Sequence, residues 1–188
     1  GGTGLYAGEE DMFCFLIDPL GWIDIGGEAF APGFFLWNSE WGRRSVGMQT
    51  FWFQKVCANH LVWDATDVVE FTRKHTANVH DSLGEIRRMI ERLVEVRDAR
   101  RDAFARVVEK AMREKFGDDA EDAVKKLHAN GIPKGLAKEA VEIAEQQGGF
   151  TIWSLVDAIT RINGREQNAG DRTDADRSAA RILALAAV

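Results

Sequence analysis

Short apolar runs broken by turn residues fill the first 75 positions, and apolar residues at three- and four-residue spacing fill the rest. Residues 11–17, DMFCFLI, are an apolar run ended by Asp18-Pro19-Leu20-Gly21, which predicts a strand and a turn. Trp22-Ile23-Asp24-Ile25 predicts a second strand, interrupted by Gly26-Gly27. Residues 33–64 hold four of the six tryptophans and show no helical period. They predict two or three strands joined by tight turns: a run from Gly33 to Trp37, a turn over Asn38 to Arg44, and a run from Ser45 to Phe53. From Phe51 to Val62 the apolar positions 52, 53, 56, 57 and 61 fit a short helix or a bent strand. Val68-Val69-Glu70-Phe71 predicts a further strand.

The period then changes. From a cap at Asp81, apolar residues at Leu83, Ile86, Ile90, Leu93, Phe104, Val107, Val108, Ala111 and Met112 predict one long amphipathic helix to about Phe116. Its stripe thins across Asp98 to Asp102, which places a possible break near Arg100, and Gly117 supplies the stop. Shorter helices follow over Ala120 to Ala129, from Pro133 to Gly148-Gly149, and from a cap at Thr151 through Ile162. An alanine-rich helix from about Thr173 closes the chain.

This segregation predicts an α+β fold: an N-terminal antiparallel β-meander covered by a long α-helix, followed by a helical C-terminal half. At 188 residues the chain fits a single domain, with residues 1–78 mainly strands, 79–117 the long helix and 118–188 a helical subdomain. A core of ordinary size follows, burying roughly 70% of the unfolded surface. Hydrophobic residues make up 45% and charged residues 29%, a soluble globular profile. The start, GGTGLYAGEE, has neither a basic segment nor an apolar signal core, and no run is long enough for a membrane span. A cytoplasmic protein with no membrane partner is expected.

Charge is uneven. Net charge is −6, with six acids and no base in residues 1–35, and 15 Lys or Arg against 12 Asp or Glu in residues 36–116. Overall acidity opposes nonspecific nucleic-acid binding by the whole surface but leaves room for a basic stripe. Cys14 and Cys57 sit in apolar contexts and read as buried free thiols. No metal-ligand spacing, Walker pattern or dinucleotide glycine pattern is present, so neither a metal nor a cofactor is expected.

Two constellations carry candidate chemistry. Arg43, Arg44, Lys55, Arg73, Lys74 and His75 lie beside Trp37, Trp41, Trp52, Phe53 and Trp63. Cations among rings can grip single-stranded nucleic acid through phosphates and stacked bases, while core packing is the plainer role for most of the rings. Glu40 could act as a general acid with His60 or His75, or else serve with Asn38 and Ser39 in a turn. The arginines of the long helix, Arg87, Arg88, Arg92, Arg97, Arg100 and Arg101, alternate with acids and predict a solvated, ion-paired face. Residues 120–146 mimic a helix-turn-helix in length, but Glu139, Glu142 and Glu145 make the second helix a poor surface for phosphate.

Four blocks in order resemble a known family. Gly33-Phe34-Phe35-Leu36-Trp37-Asn38-Ser39-Glu40 with Gly42, then Val56-Cys57 with Asn59, then Arg73 with His75-Thr76, then Thr151-Ile152-Trp153 with Leu155-Val156 and Ala158-Ile159-Thr160, are similar to the phage and plasmid-like domain of unknown function 932. The chain departs from that pattern at His60, where glycine is frequent. The resemblance implies a phage or plasmid setting, no assigned activity, and an upstream segment beyond this chain. Together these readings lead to a mobile-element protein binding or annealing single-stranded nucleic acid as a homo-oligomer. A small hydrolase using Glu40, or a scaffold with no catalysis, is the alternative, and the balance is against an enzyme.

Overall fold

The computed structural model describes residues 4–7, 11–39, 46–54, 60–63, 70–73, 79–163 and 178–187. Among them the first half forms one antiparallel sheet: β1 (Gly4–Ala7), β2 (Asp11–Ile17), β3 (Ile23–Ile25), β4 (Glu28–Ser39), β5 (Val46–Gln54), β6 (His60–Trp63) and β7 (Glu70–Arg73). The order is β1-β2-β4-β5-β6, with β3 paired to the start of β4 and β7 to the start of β5. Gly26-Gly27, an interruption in the sequence pattern, is the turn of the β3–β4 hairpin. Their φ angles of 61° and 87° are open to glycine without strain. Between Phe51 and Val62 the described residues belong to β5 and β6, paired from Phe51 opposite Trp63 to Gln54 opposite His60, so strand pairing wins over a helical turn there.

Register sorts the side chains into two faces. Phe30, Pro32, Phe34 and Leu36 of β4 stand opposite Gln54, Trp52, Thr50 and Met48 of β5, and this face receives the helices. Ala31, Gly33, Phe35 and Trp37 stand opposite Phe53, Phe51, Gln49 and Gly47 on the other.

The expected long helix is two helices end to end. α1 (Val79–Glu95) and α2 (Arg97–Arg113) meet at Val96, whose backbone has φ −97° and ψ 11°. The break does not fall at Arg100. That residue is only 6% exposed and its guanidinium lies 6.0 Å from the centre of the Trp52 ring. The thinned apolar stripe therefore marks a cation on an aromatic face, not a helix end. Arg97 also leaves the solvated face, pairing with Asp18 of the β2–β3 turn at 2.6 Å. Arg87 with Glu91, and Arg101 with Asp98 and Asp102, are ion pairs within the helices as the alternating charges predict.

Trp52 stacks on Phe104 of α2 with ring centres 4.2 Å apart and planes 6° off parallel. Phe30 meets Phe104 and Trp153 edge-on at 5.4 and 5.5 Å. Around these rings the main core gathers α2, α3 (Ala120–Ala129), α4 (Lys134–Gln146), α5 (Ile152–Asn163) and the C-terminal helical residues 178–184 with the 3-10 turn Leu185–Ala187. A separate cluster packs Ile86 and Leu93 of α1 on Met48, beside Phe34 and Leu36.

The helical half follows its caps. Asp119 accepts from Asp122 N at 2.8 Å to start α3, and Thr151 Oγ1 accepts from Ser154 N at 3.0 Å to start α5. α2 stops earlier than the glycine rule predicts, because Glu114 turns extended and Lys115 bridges Thr151. Phe116 N donates to Phe150 O at 2.7 Å and Ile152 N to Glu114 O at 3.0 Å, so the chain leaving α2 is tied to the chain entering α5. No helix among the described residues is long and apolar enough to cross a membrane.

Gly33 lies where a Cβ would come within 2.6 Å of both the Leu16 carbonyl oxygen and the Phe51 ring. Gly33→Ala is expected to destabilise the protein by about 1–3 kcal/mol, since neighbouring backbone cannot give way cheaply. Gly135→Ala, in α4 with nothing near its Cβ position, should instead stabilise by roughly 0.5–1 kcal/mol. Urea unfolding of both variants checks the opposite signs.

Candidate functional site

Where β4 begins and β5 ends, polar side chains gather at the margin of the main core. Glu28 is the first residue of β4, set immediately after the glycine turn, and Gln54 is the last residue of β5. Both project toward the helices by register. Gln54 is fully buried and its Nε2 donates to Glu28 Oε2 and, at 3.3 Å, to Asp157 Oδ1. Asp157, on the buried face of α5, also accepts from Arg161 Nε at 2.7 Å and Gln147 Nε2 at 3.3 Å. Trp153 Nε1 donates to Glu28 Oε1 at 3.3 Å.

One amide thus bridges two carboxylates that meet different company. Asp157 has a guanidinium one helical turn away, whereas the hydrogen-bond donors to Glu28 are the neutral groups of Gln54 and Trp153. Burial is the main cause that raises the Glu28 pKa above the usual carboxylate value, and the Asp157 charge adds to it. The Trp153 and Gln54 hydrogen bonds and the Arg161 charge pull the other way without cancelling the rise. A cleft of about 430 Å³ opens beside this cluster, lined by Glu28, Trp153, Asp157 and Arg161, by Met112 of α2, and by the α4–α5 connection. Its chemistry is that of a partly desolvated acid beside a neutralised ion pair, able to hold or release a proton. No group of three or more His, Cys, Asp or Glu side chains that could hold a metal ion occurs among the described residues.

Of the polar candidate-site residues singled out by sequence, Asn38, Ser39, His60 and Arg73 lie among the described residues. Arg73 ends β7, and Val46 is registered opposite it at the start of β5. In sequence Arg43 and Arg44 precede Val46 by three and two residues, and Lys74 and His75 follow Arg73 directly. Those four neighbours, with Lys55, Glu40, Gly42, Cys57 and Asn59, lie outside the described residues. Lys55 follows Gln54 in sequence, and Gln54 ends β5 roughly 26 Å along the strand from Val46. Asn38 and Ser39 are strand residues of β4, opposite Met12 and Asp11, not turn residues. His60 stands opposite Gln54, while Ser39, the neighbour of Glu40, is nine residues along β4 from Phe30, the β4 partner of Gln54. Ser39 and His60 thus lie toward opposite ends of the β4–β5 pair, roughly 30 Å apart along the strands, while Glu40 and His75 lie outside the described residues. Cys14 is a free thiol, half-buried.

The second sheet face carries a ladder of rings. Trp22 meets Phe53 edge-on at 6.1 Å, Phe15 lies 4.7 Å from Phe35 and 6.0 Å from Phe51, and Phe35 lies 5.5 Å from Trp37. Phe35 and Phe51 are buried at its centre, where Ala180 packs, and Phe15, Trp37 and Phe53 are partly exposed. Trp22 is 41% exposed. Trp52, Phe30 and Phe104 belong to the core on the opposite side.

Sequence reading missed Glu28, Gln54, Asp157 and Arg161. A signal was available for two of them, because Asp157 interrupts the apolar stripe of its helix and Arg161 follows at the ion-pair spacing. None announced Glu28, which is 125 residues from its partner Trp153.

The chain belongs to the family described as Domain of unknown function (DUF932), whose match covers residues 19–185. That range includes the cleft and the aromatic face apart from Phe15 and Ile17 of β2. No curated protein and no solved structure gives a significant match.

A raised carboxyl pKa in the folded protein has a definite sign. Glu28 contributes stability that is fully present below the ordinary carboxylate range and is lost as pH rises through its elevated folded pKa. Glu28→Gln removes that titration, with Asp157 and Arg161 left in place. The stability gap between wild type and variant is expected to shift in favour of wild type as pH falls from 7 toward 4, read by thermal unfolding at several pH values. A gap moving the opposite way would show a carboxylate stabilised by its donors.

Proposed function

Starting from a chain of this family, we propose that the protein binds single-stranded nucleic acid across the aromatic face of its sheet. The observation that carries the proposal is the ladder from Trp22 and Phe53 through Phe15 and Phe35 to Trp37, with its outer rings partly exposed on the side away from α2. Stacking on such rings accepts any base, because every base offers a π-face. Cations are needed for the phosphates. Arg73 ends β7 at the sheet end that carries Trp37, but its register partner Val46 belongs to the helix-facing series with Met48, so the ring side draws its cations from elsewhere. Phosphate contacts are assigned to Arg43, Arg44, Lys55, Lys74 and His75, which neighbour β5 and β7 in sequence. A strand laid along β4 and β5 would meet the row of rings from Trp22 and Phe53 to Trp37.

Annealing of strands by a homo-oligomer, in the cytoplasm and in a phage or plasmid setting, belongs to the same proposal. Its support is the arrangement of an antiparallel sheet crossed by helices, which single-strand annealing proteins share, and this support is fold-level analogy.

Fluorescence anisotropy with a labelled oligothymidylate at two salt concentrations tests the reading. Wild type should bind, and Trp37→Ala and Phe53→Ala should each weaken binding by about 5- to 150-fold while leaving the circular dichroism spectrum unchanged. Changing Arg43 and Arg44 together to Ala should flatten the salt dependence by about 0.7 in log–log slope for each phosphate that the two guanidinium groups neutralise. Absence of binding at low salt overturns the proposal.

A further inference from the structure

The cleft beside Glu28 lies on the helix side of the sheet and plays no part in the aromatic-face reading. Its charges are unequal. Asp157 is buried and compensated by Arg161 at 2.7 Å, with Gln147 and Gln54 completing its shell. Glu28 is half-buried and held in place by two neutral donors, one to each carboxylate oxygen, and the nearby Arg161, whose charge reaches it, donates its Nε to Asp157 instead. A carboxylate withdrawn from water gains most from an added cation, because the low local dielectric strengthens the attraction. The cleft has room for such a group: about 430 Å³, walled by the Met112 side chain, the Trp153 indole and the Gly148-Gly149 backbone.

We propose that this cleft is a binding site for a small organic cation, an ammonium or guanidinium group carried on a short aliphatic chain, with Glu28 as its anionic contact. The Trp153 and Gln54 donors fix the carboxylate, and the cationic head approaches from the open side of the cleft. Met112 offers the aliphatic chain an apolar wall. Asp157 holds Arg161 by its Nε, which keeps the guanidinium charge paired instead of opposing the incoming cation. The net charge of the lining residues, −1 from Glu28, Asp157 and Arg161, favours a ligand of positive charge.

The indole N–H of Trp153 is a built-in reporter, because it donates directly to Glu28. In a nitrogen-15 correlation spectrum of the full chain, with the Trp153 signal identified by Trp153→Phe, agmatine at millimolar concentration should move that signal saturably. Sodium chloride of equal ionic strength should not, and Glu28→Gln should abolish the movement while leaving the other indole signals in place. A second measurement needs no variant: the titration of the Glu28 carboxyl, followed by its carbon-13 shift, should move to lower pH when agmatine is present. No movement of the Trp153 signal, an equal movement with salt or in Glu28→Gln, or an unmoved Glu28 titration overturns the proposal. Loss of oligothymidylate binding would leave this result untouched, so the two readings fail separately.

Discussion

The stack of Trp52 on Phe104 joins the two halves of the chain. Trp52 comes from the middle of the sheet's helix-facing side and Phe104 from the middle of α2, and their near-parallel planes at 4.2 Å leave no room for a third layer between them. Burying two large rings, each removing roughly 150–250 Å² from water, is a contribution of several kcal/mol. Part of it offsets a cost, since the Trp52 indole N–H has no hydrogen-bond partner among the described residues, a loss of about 1–3 kcal/mol. Phe30 and Arg100 close on the same pair, one edge-on and the other over the indole. The position of α2 over β4 and β5 follows from these contacts, and α5 follows from Phe30 against Trp153.

Once α2 and α5 are seated there, the ends of β4 and β5 fall at the border of the core, where water can still reach. Polar residues at that border sit on apolar scaffolding: Glu28 on a hairpin, Gln54 on a strand end, Asp157 on a buried helix face. Gln54 meets both carboxylates with one nitrogen, so the acidic groups share a fixed separation set by secondary structure and not by flexible loops. The opposite face of the same two strands carries the rings of Phe35, Trp37, Phe51 and Phe53. Strand alternation lets β4 and β5 carry a packed, charged border on one side and a row of rings on the other.

Much of the architecture was legible from the residues. Short apolar runs marked the sheet and three- and four-residue spacing the helices, and the cap at Thr151 and the helix over Ala120 to Ala129 are found where the side chains predict them. Arg100 misled because a charged residue in a helix reads as solvent-facing, while its guanidinium here stands over a buried indole, 6.0 Å from the ring centre. The end of α2 misled because pairing of Lys115 with Thr151 is a contact between segments far apart in sequence. For the same reason the Glu28 cluster was invisible, its members coming from β4, β5, α4 and α5, whereas the rings around residues 33–53 were visible as a group because one hairpin carries most of them.

The tie between residues 114–116 and 150–152 makes α3 and α4 an excursion that leaves the chain and returns at one place. Such a base isolates what lies beyond it. Residues added at the exposed Asn130-Gly131 corner lengthen a loop whose two feet are already clamped, so they need not alter the spacing between α2 and α5. The helical half therefore has a place where relatives of this chain can differ in length while the sheet and the cleft keep their dimensions.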